Sequence, residues 1–215
     1  MTKEWWINWL TSQEEWFLLN YWKLNSISSK FFKLATEYKI EFLHGCTKGC
    51  IVDLESDFVI KWTIEDDSDE MHREFLVYQK AVSHGVECFF PKTELLLELG
   101  GYLKFYIQQR VSSTLGDMSR ENFKKCELSI PMAIRELDYE DLDEFNFYWR
   151  PDTLWIKKAI AVFGVDKVYE LASFTRRYHI NDLHTNNVGF DGEDFVPMLL
   201  DFSGFNQGAL RSYSF

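Results

Sequence analysis

The sequence predicts an α+β fold, with an antiparallel sheet in its first half and helices plus one late hairpin in its second. Three observations carry this. Apolar runs of strand length, broken by short polar turns, fill 38–62 and recur at 94–111. Apolar residues at helical spacing run through 70–84, 154–163 and 165–178. Finally, 188–190 and 195–200 read as two strands joined at Asp191-Gly192, a dipeptide suited to a tight turn.

With 215 residues the chain is long enough for a sizeable core and reads as a compact two-lobed unit. Three parts are expected: an aromatic helical segment at 1–37, a sheet-bearing part at 38–111 and a helical part with the hairpin at 112–215. Eight Trp and nineteen Phe argue for packed globular structure and against disorder. The net charge of −11 reads as a solvated acidic surface and disfavours nucleic acid, whose phosphates need a basic face. Cys46, Cys50, Cys88 and Cys126 are scattered, and the N-terminus lacks a secretory pattern, so reduced thiols in a cytoplasmic protein are expected. His44-x-Cys46-x-x-x-Cys50 hints at zinc ligands, but no second close pair completes the set. No apolar run reaches transmembrane length.

In chain order, residues 3–24 place Trp5, Trp9 and Trp16 at helical spacings with Glu14 and Glu15 on a polar side. A helix packed on the body of the protein is expected. A membrane-surface helix would carry a basic polar face, which this stretch lacks. Residues 25–29 read as a break, with Ser28 or Ser29 capping a short helix over 30–37. Residues 40–43 form a strand leading into Gly45 and Gly49. Cys50–Leu54 and Asp57–Trp62 follow as a hairpin turned at Glu55-Ser56. Lys61 sits near the end of the latter strand among apolar residues, where an ammonium needs a counter-charge.

The helix at 70–84 stops at Gly85. Met71, Phe75, Tyr78 and Val82 share one face, with Glu74 beside it. The acidic run at 65–70 reads as a loop and helix start. Two strands follow, turned at Gly100-Gly101. Residues 112–151 mix acidic and apolar side chains, and the carboxylates at 138–144 read either as a solvated face or as a surface for a basic partner. Asp152 or Thr153 caps the next helix, and the one after it delivers the chain to Asp182. The hairpin then folds back so that Asp182, Asn187 and Asp201 gather near its open end. Three oxygen-bearing side chains there suit a hard divalent cation completed by phosphate oxygens.

Asp182-Leu183-x-x-x-Asn187 and Asp201-Phe202-Ser203 resemble the catalytic loop and the Asp-Phe-Gly of the protein-kinase-like superfamily, and Val59-Ile60-Lys61 resembles its lysine strand. His184, two residues after Asp182, is similar to the aminoglycoside-phosphotransferase branch. The resemblance covers about residues 40–205 and implies a two-lobed kinase-like fold, with a truncated helical C-lobe, in a compact protein of the phage or bacterial kind. It implies an ATP-dependent phosphotransferase with Mg²⁺, acting on protein Ser/Thr or a small molecule, with no membrane or nucleic-acid partner.

In that family Asp182 would orient the attacking hydroxyl, Asn187 and Asp201 would hold Mg²⁺, and Lys61 would neutralise phosphate charge. Glu74, with Glu70 in reserve, would hold Lys61. Gly45 and Gly49 would cover the phosphates, although a plain hairpin turn looks the same. Residues 107–111 would be the hinge, with Gln109 at the base, and His184 would donate near the transferred phosphoryl. The sequence departs from the family at Ile180, Asn181 and Ser203, and only fourteen residues follow Asp201. The alternative is a weakly active or inactive kinase-like nucleotide-binding protein that works through a partner. A structural protein with only surface carboxylates is the third reading.

Overall fold

The computed structural model describes residues 1–20, 24–44, 48–63, 70–101 and 103–202. The class is mixed α+β with antiparallel sheets, as the strand and helix patterns predict. Among these residues the chain forms two compact units. One comprises Met1–Phe75 and Lys92–Arg110, the other Leu76–Pro91 and the chain from Val111 onward. No helix among them is long and apolar enough to cross a membrane.

The first unit begins with helices α1 (Lys3–Ser12), α2 (Glu14–Asn20) and α3 (Leu24–Glu37). Strands β1 (Ile40–His44), β2 (Lys48–Asp53) and β3 (Phe58–Thr63) follow, then helix α4 (Glu70–Ser83), of which only the part up to Phe75 belongs to this unit, and β4 (Thr93–Leu99) and β5 (Leu103–Gln109). The sheet order is β1-β2-β3-β5-β4, and every neighbouring pair is antiparallel. Gly100 and Gly101 take φ of 59° and 78° between β4 and β5, a left-handed pair that glycine adopts at least cost.

Strand alternation gives this sheet two unlike faces. Ile51, Ile60, Trp62 and Phe105 leave one face and pack against Trp6, Leu10, Phe17 and Phe31 of α1–α3. Ring centroids of Phe31 and Trp62 lie 4.7 Å apart, and those of Phe17 and Phe105 5.4 Å apart. The N-terminal helices are therefore an aromatic roof on the sheet, which agrees with the packed-helix expectation. Their boundaries differ from the sequence reading. The 3–24 helix breaks at Gln13, whose N–H turns back to Leu10 O, and α3 already runs from Leu24 through the expected break at 25–29. Burying Phe31 and Leu34 outweighs the weak helix propensity of the Asn and Ser residues there.

The face of α4 is also rotated from expectation. Met71, Glu74, Val77 and Ala81 are fully buried, while Val82 is 49% exposed. These four follow the i, i+3, i+6, i+10 line of one helix face, so Glu74 lies at its centre rather than at its margin.

The second unit holds β6 (Ser113–Thr114), α5 (Arg120–Leu128), α6 (Met132–Arg135), α7 (Tyr139–Asp143), α8 (Thr153–Phe163), α9 (Val165–Tyr178), β7 (Val188–Asp191) and β8 (Val196–Leu199). Asp152 caps α8, accepting from Leu154 N at 2.8 Å, and α9 has the predicted bounds, with Val168, Leu171, Ala172 and Thr175 buried. In the acidic stretch, Asp138 and Asp141 form a reciprocal capping box that starts α7, while Leu142 and Phe145 go inward. The late hairpin pairs Val188 with Leu199 and Asp191 with Val196. Its loop is Gly192–Phe195, longer than the expected dipeptide, with Phe195 at φ 54°. Strand β6, which the sequence pattern does not suggest, adds to the outer edge of β7. Trp155 of α8 donates its indole N–H to Gly189 O and Met198 O, both at 3.2 Å, and so ties both hairpin strands to the helix layer.

Candidate active site

The expected site residues fall into two groups, one in each unit. In the first, β2 and β3 set Cys50 opposite Lys61, and β3 and β5 set Lys61 opposite Tyr106. Direct cross-strand partners emerge on the same face, here the face opposite the aromatic roof. Glu74 reaches that face from α4, its Oε2 3.7 Å from Lys61 Nζ. The Glu74 side chain is fully buried and that of Lys61 is 16% exposed. The strand lysine thus has the counter-charge that its apolar neighbours require. Glu70 opens α4 but its side chain lies outside the described residues, as do Gly45, Cys46, Ser203 and the acidic run at 65–69.

Two residues expected near a nucleotide have structural duties here. Gly49 sits in β2 directly across from Trp62, and a Cβ added to it would meet the indole at 2.2 Å. The close approach of the Trp62 ring is thus sufficient reason for glycine at 49. Gln109, expected at the hinge, ends β5, and its N–H donates to Lys92 O at 2.8 Å. Gln108 beside it is buried, with Nε2 donating to Thr93 Oγ1 at 2.9 Å. Cys50, read from sequence as a reduced thiol and as part of a hint of zinc ligands, is brought beside Lys61 by strand register. Burial pushes its pKa up to about 11, outweighing the pull of Lys61, so it stays a neutral wall residue.

The second group grows from the end of α9. His179 takes the left-handed conformation at φ 54°, and the N–H of Ile180 returns to Thr175 O at 2.9 Å, a glycine-type helix stop made by a histidine. Ile180 and Leu183 are both fully buried, and between them Asp182 stands outward at φ 64°. A left-handed aspartate costs on the order of 1 kcal/mol, and such residues concentrate at functional sites. The Asp182 side chain is 59% exposed and that of His184 46%.

Asn187 organises this loop. Its Nδ2 donates to Asp182 O at 2.8 Å and to Asp182 Oδ2 at 3.3 Å. Its backbone oxygen accepts from Leu200 N at 2.8 Å and Asp201 N at 3.4 Å. The expected gathering of Asp182, Asn187 and Asp201 at the open end of the hairpin is therefore the observed one. His184 Nδ1 accepts from Asn186 N at 3.1 Å, so a neutral His184 carries its proton on Nε2, the atom 3.7 Å from Asp182 Oδ1. Gly116 closes the loop from outside: its N–H donates to Thr185 O at 2.9 Å, and a Cβ there would meet Asn186 Oδ1 at 2.1 Å. Phe202 is fully buried, stacked edge-on with Phe90 at 5.0 Å, which fixes the chain just after Asp201.

The donor chemistry suits a hard cation. With Asn187 Nδ2 committed to Asp182, its Oδ1 is the atom left to coordinate, and Asp201 follows at the end of β8. Among the described residues no three His, Cys, Asp or Glu side chains cluster as a metal set. Comparison with family models, with curated proteins and with solved structures returned no match for this chain.

Proposed function

We propose that the protein is an ATP-dependent phosphotransferase that uses Mg²⁺ and acts on an alcohol group, with serine or threonine of a protein as acceptor. The observation that carries this reading is the Lys61–Glu74 pair, because burying a carboxylate completely beside a largely shielded lysine is costly and serves to aim the ammonium. Lys61 neutralises phosphate charge, and Glu74 holds it in place. Asn187 and Asp201 hold the magnesium ion, which when bound screens the charge of the triphosphate. Asp182 accepts the hydrogen bond of the attacking hydroxyl and orients it, and Asn187 fixes that carboxylate through Nδ2. His184 presents an N–H beside it.

The test is incubation of the purified protein with Mg²⁺ and γ-labelled ATP, alone and with a cell lysate, beside Asp182→Asn and Asp201→Ala. Label transfer that disappears in both variants supports the proposal. Stabilisation by ATP and Mg²⁺ without transfer moves the protein to the binding-only reading, in which it works through a partner. Absence of any ATP effect removes the kinase reading.

A further inference from the structure

We infer that His72 and Tyr106 are positioning residues for the Lys61–Glu74 pair. The consequence for catalysis rests on the phosphotransferase reading; the geometry does not. Tyr106 is the direct cross-strand partner of Lys61, so both side chains leave the sheet on the same face. Tyr106 is 1% exposed, and its hydroxyl lies 2.9 Å from His72 Nδ1 on α4. Phe75 completes the group, 5.7 Å from the Tyr106 ring and 6.1 Å from that of His72.

His72, Glu74 and Phe75 all fall within one turn of α4. That turn is tied to two adjacent strands, to β3 through Glu74 and Lys61 and to β5 through His72 and Tyr106. The two ties differ in stiffness. Lysine is a point charge on a flexible four-carbon stem, so at 3.7 Å it tolerates rotation of the helix. A hydrogen bond between two rings, one of them fully enclosed, does not tolerate it, because its length and direction are both constrained. The ring pair sets the rotation of α4, and the rotation of α4 sets where the Glu74 carboxylate stands against Lys61.

The experiment uses Tyr106→Phe, which keeps the ring and removes the hydroxyl, His72→Leu, and His72→Asn, which returns a polar atom near the place of Nδ1. Acylation of Lys61 by an amine-reactive ester, followed by peptide mass spectrometry on the nucleotide-free protein, reads the pair directly. Melting temperature is measured alongside. Tyr106→Phe and His72→Leu are expected to raise the Lys61 acylation rate about fivefold, the worth of one hydrogen bond, with His72→Asn within about twofold of the parent. Label transfer should fall about tenfold in the first two, in kcat more than in KM for ATP. Unchanged Lys61 acylation in folded Tyr106→Phe and His72→Leu overturns the inference, and so does an equal response in His72→Asn and His72→Leu, which would mean ring packing alone. A parent that transfers no label while Lys61 still responds to Tyr106→Phe sinks the phosphotransferase reading and leaves the positioning pair standing.

Discussion

The Lys61–Glu74 pair and the Asp182–His184–Asn187 cluster are built by opposite means. The first is sealed, with Glu74 fully buried, and it depends on β2, β3, β5 and α4 together. The second is open, with Asp182 more than half exposed, and its internal contacts span only residues 182–187. A buried charge pair is held by whatever surrounds it, so remote substitutions reach it. An exposed carboxylate on a short loop is held mainly by the loop's own hydrogen bonds, so the substitutions that reach it are those in the loop and at the few residues that touch it, such as Gly116. Stability and activity should therefore separate at Asp182 and move together at Lys61.

The largest expected effect tests the open side. Asp182→Asn should lower label transfer by about 10²–10⁴-fold, read against a parent reaction in the same lysate. Asparagine tolerates the left-handed backbone that position 182 requires, so stability should change by no more than about 0.5 kcal/mol. A large loss of stability would mean that the loop is not locally held.

On the sealed side, Trp62→Ala should cost about 3–5 kcal/mol in denaturant unfolding, because its indole fills the roof-facing surface directly behind Lys61. Gly49→Ala adds a sharper reading. It should cost about 1–3 kcal/mol in the parent through collision with the same ring, and most of that cost should vanish in a Trp62→Ala background. Equal cost in both backgrounds would move the reason for glycine at 49 away from the ring. Lys61→Met removes the cation facing buried Glu74 and should cost on the order of 3 kcal/mol, the response expected of a broken buried pair. Nucleotide binding should weaken in the same variant.

The smallest effect comes from the solvent-exposed edge of the sheet. Hydrogen bonds from Lys3 and Lys92 hold the Glu94 carboxyl down from its ordinary 4.5 to about 2. A depressed carboxylate stabilises the folded state above the ordinary value and loses that contribution as pH falls through the folded one, here between about 4.5 and 2. Because the side chain is 41% exposed, the gain is under about 1 kcal/mol. In unfolding, the stability of Glu94→Gln should fall slightly below the parent at pH 7, and the gap should narrow as pH falls toward 2.

Much of this arrangement is written in short-range pattern. The α9 bounds follow from apolar spacing and flanking Gly164, and the Asp152 cap from one carboxylate before an apolar run. The gathering of Asp182, Asn187 and Asp201 follows from a hairpin, which returns the chain to its starting point whatever its turn type. The hairpin loop itself departs from the pattern because Asp191 still pairs with Val196, so the Asp-Gly dipeptide opens a longer loop and does not form the whole turn. Lys61 and Glu74 are marked as candidates by the resemblance to the kinase-like lysine strand and its following helix, together with their places on strand and helix.

Tertiary structure decided the rest. The continuity of α3 through its Ser-rich start depends on aromatic burial against the sheet, which no local propensity contains. The reason for Gly49 is the Trp62 ring on the next strand. The inward turn of Glu74 and the meeting of His72 with Tyr106, thirty-four residues apart, arise where one helix crosses two strands. Sequence determines which residues recur at the period of a helix or strand, because that period is a property of the backbone. Which face is buried, and how deeply a charge sits in it, is set by the volume and polarity of the partner surface, and that surface exists only after the chain has folded.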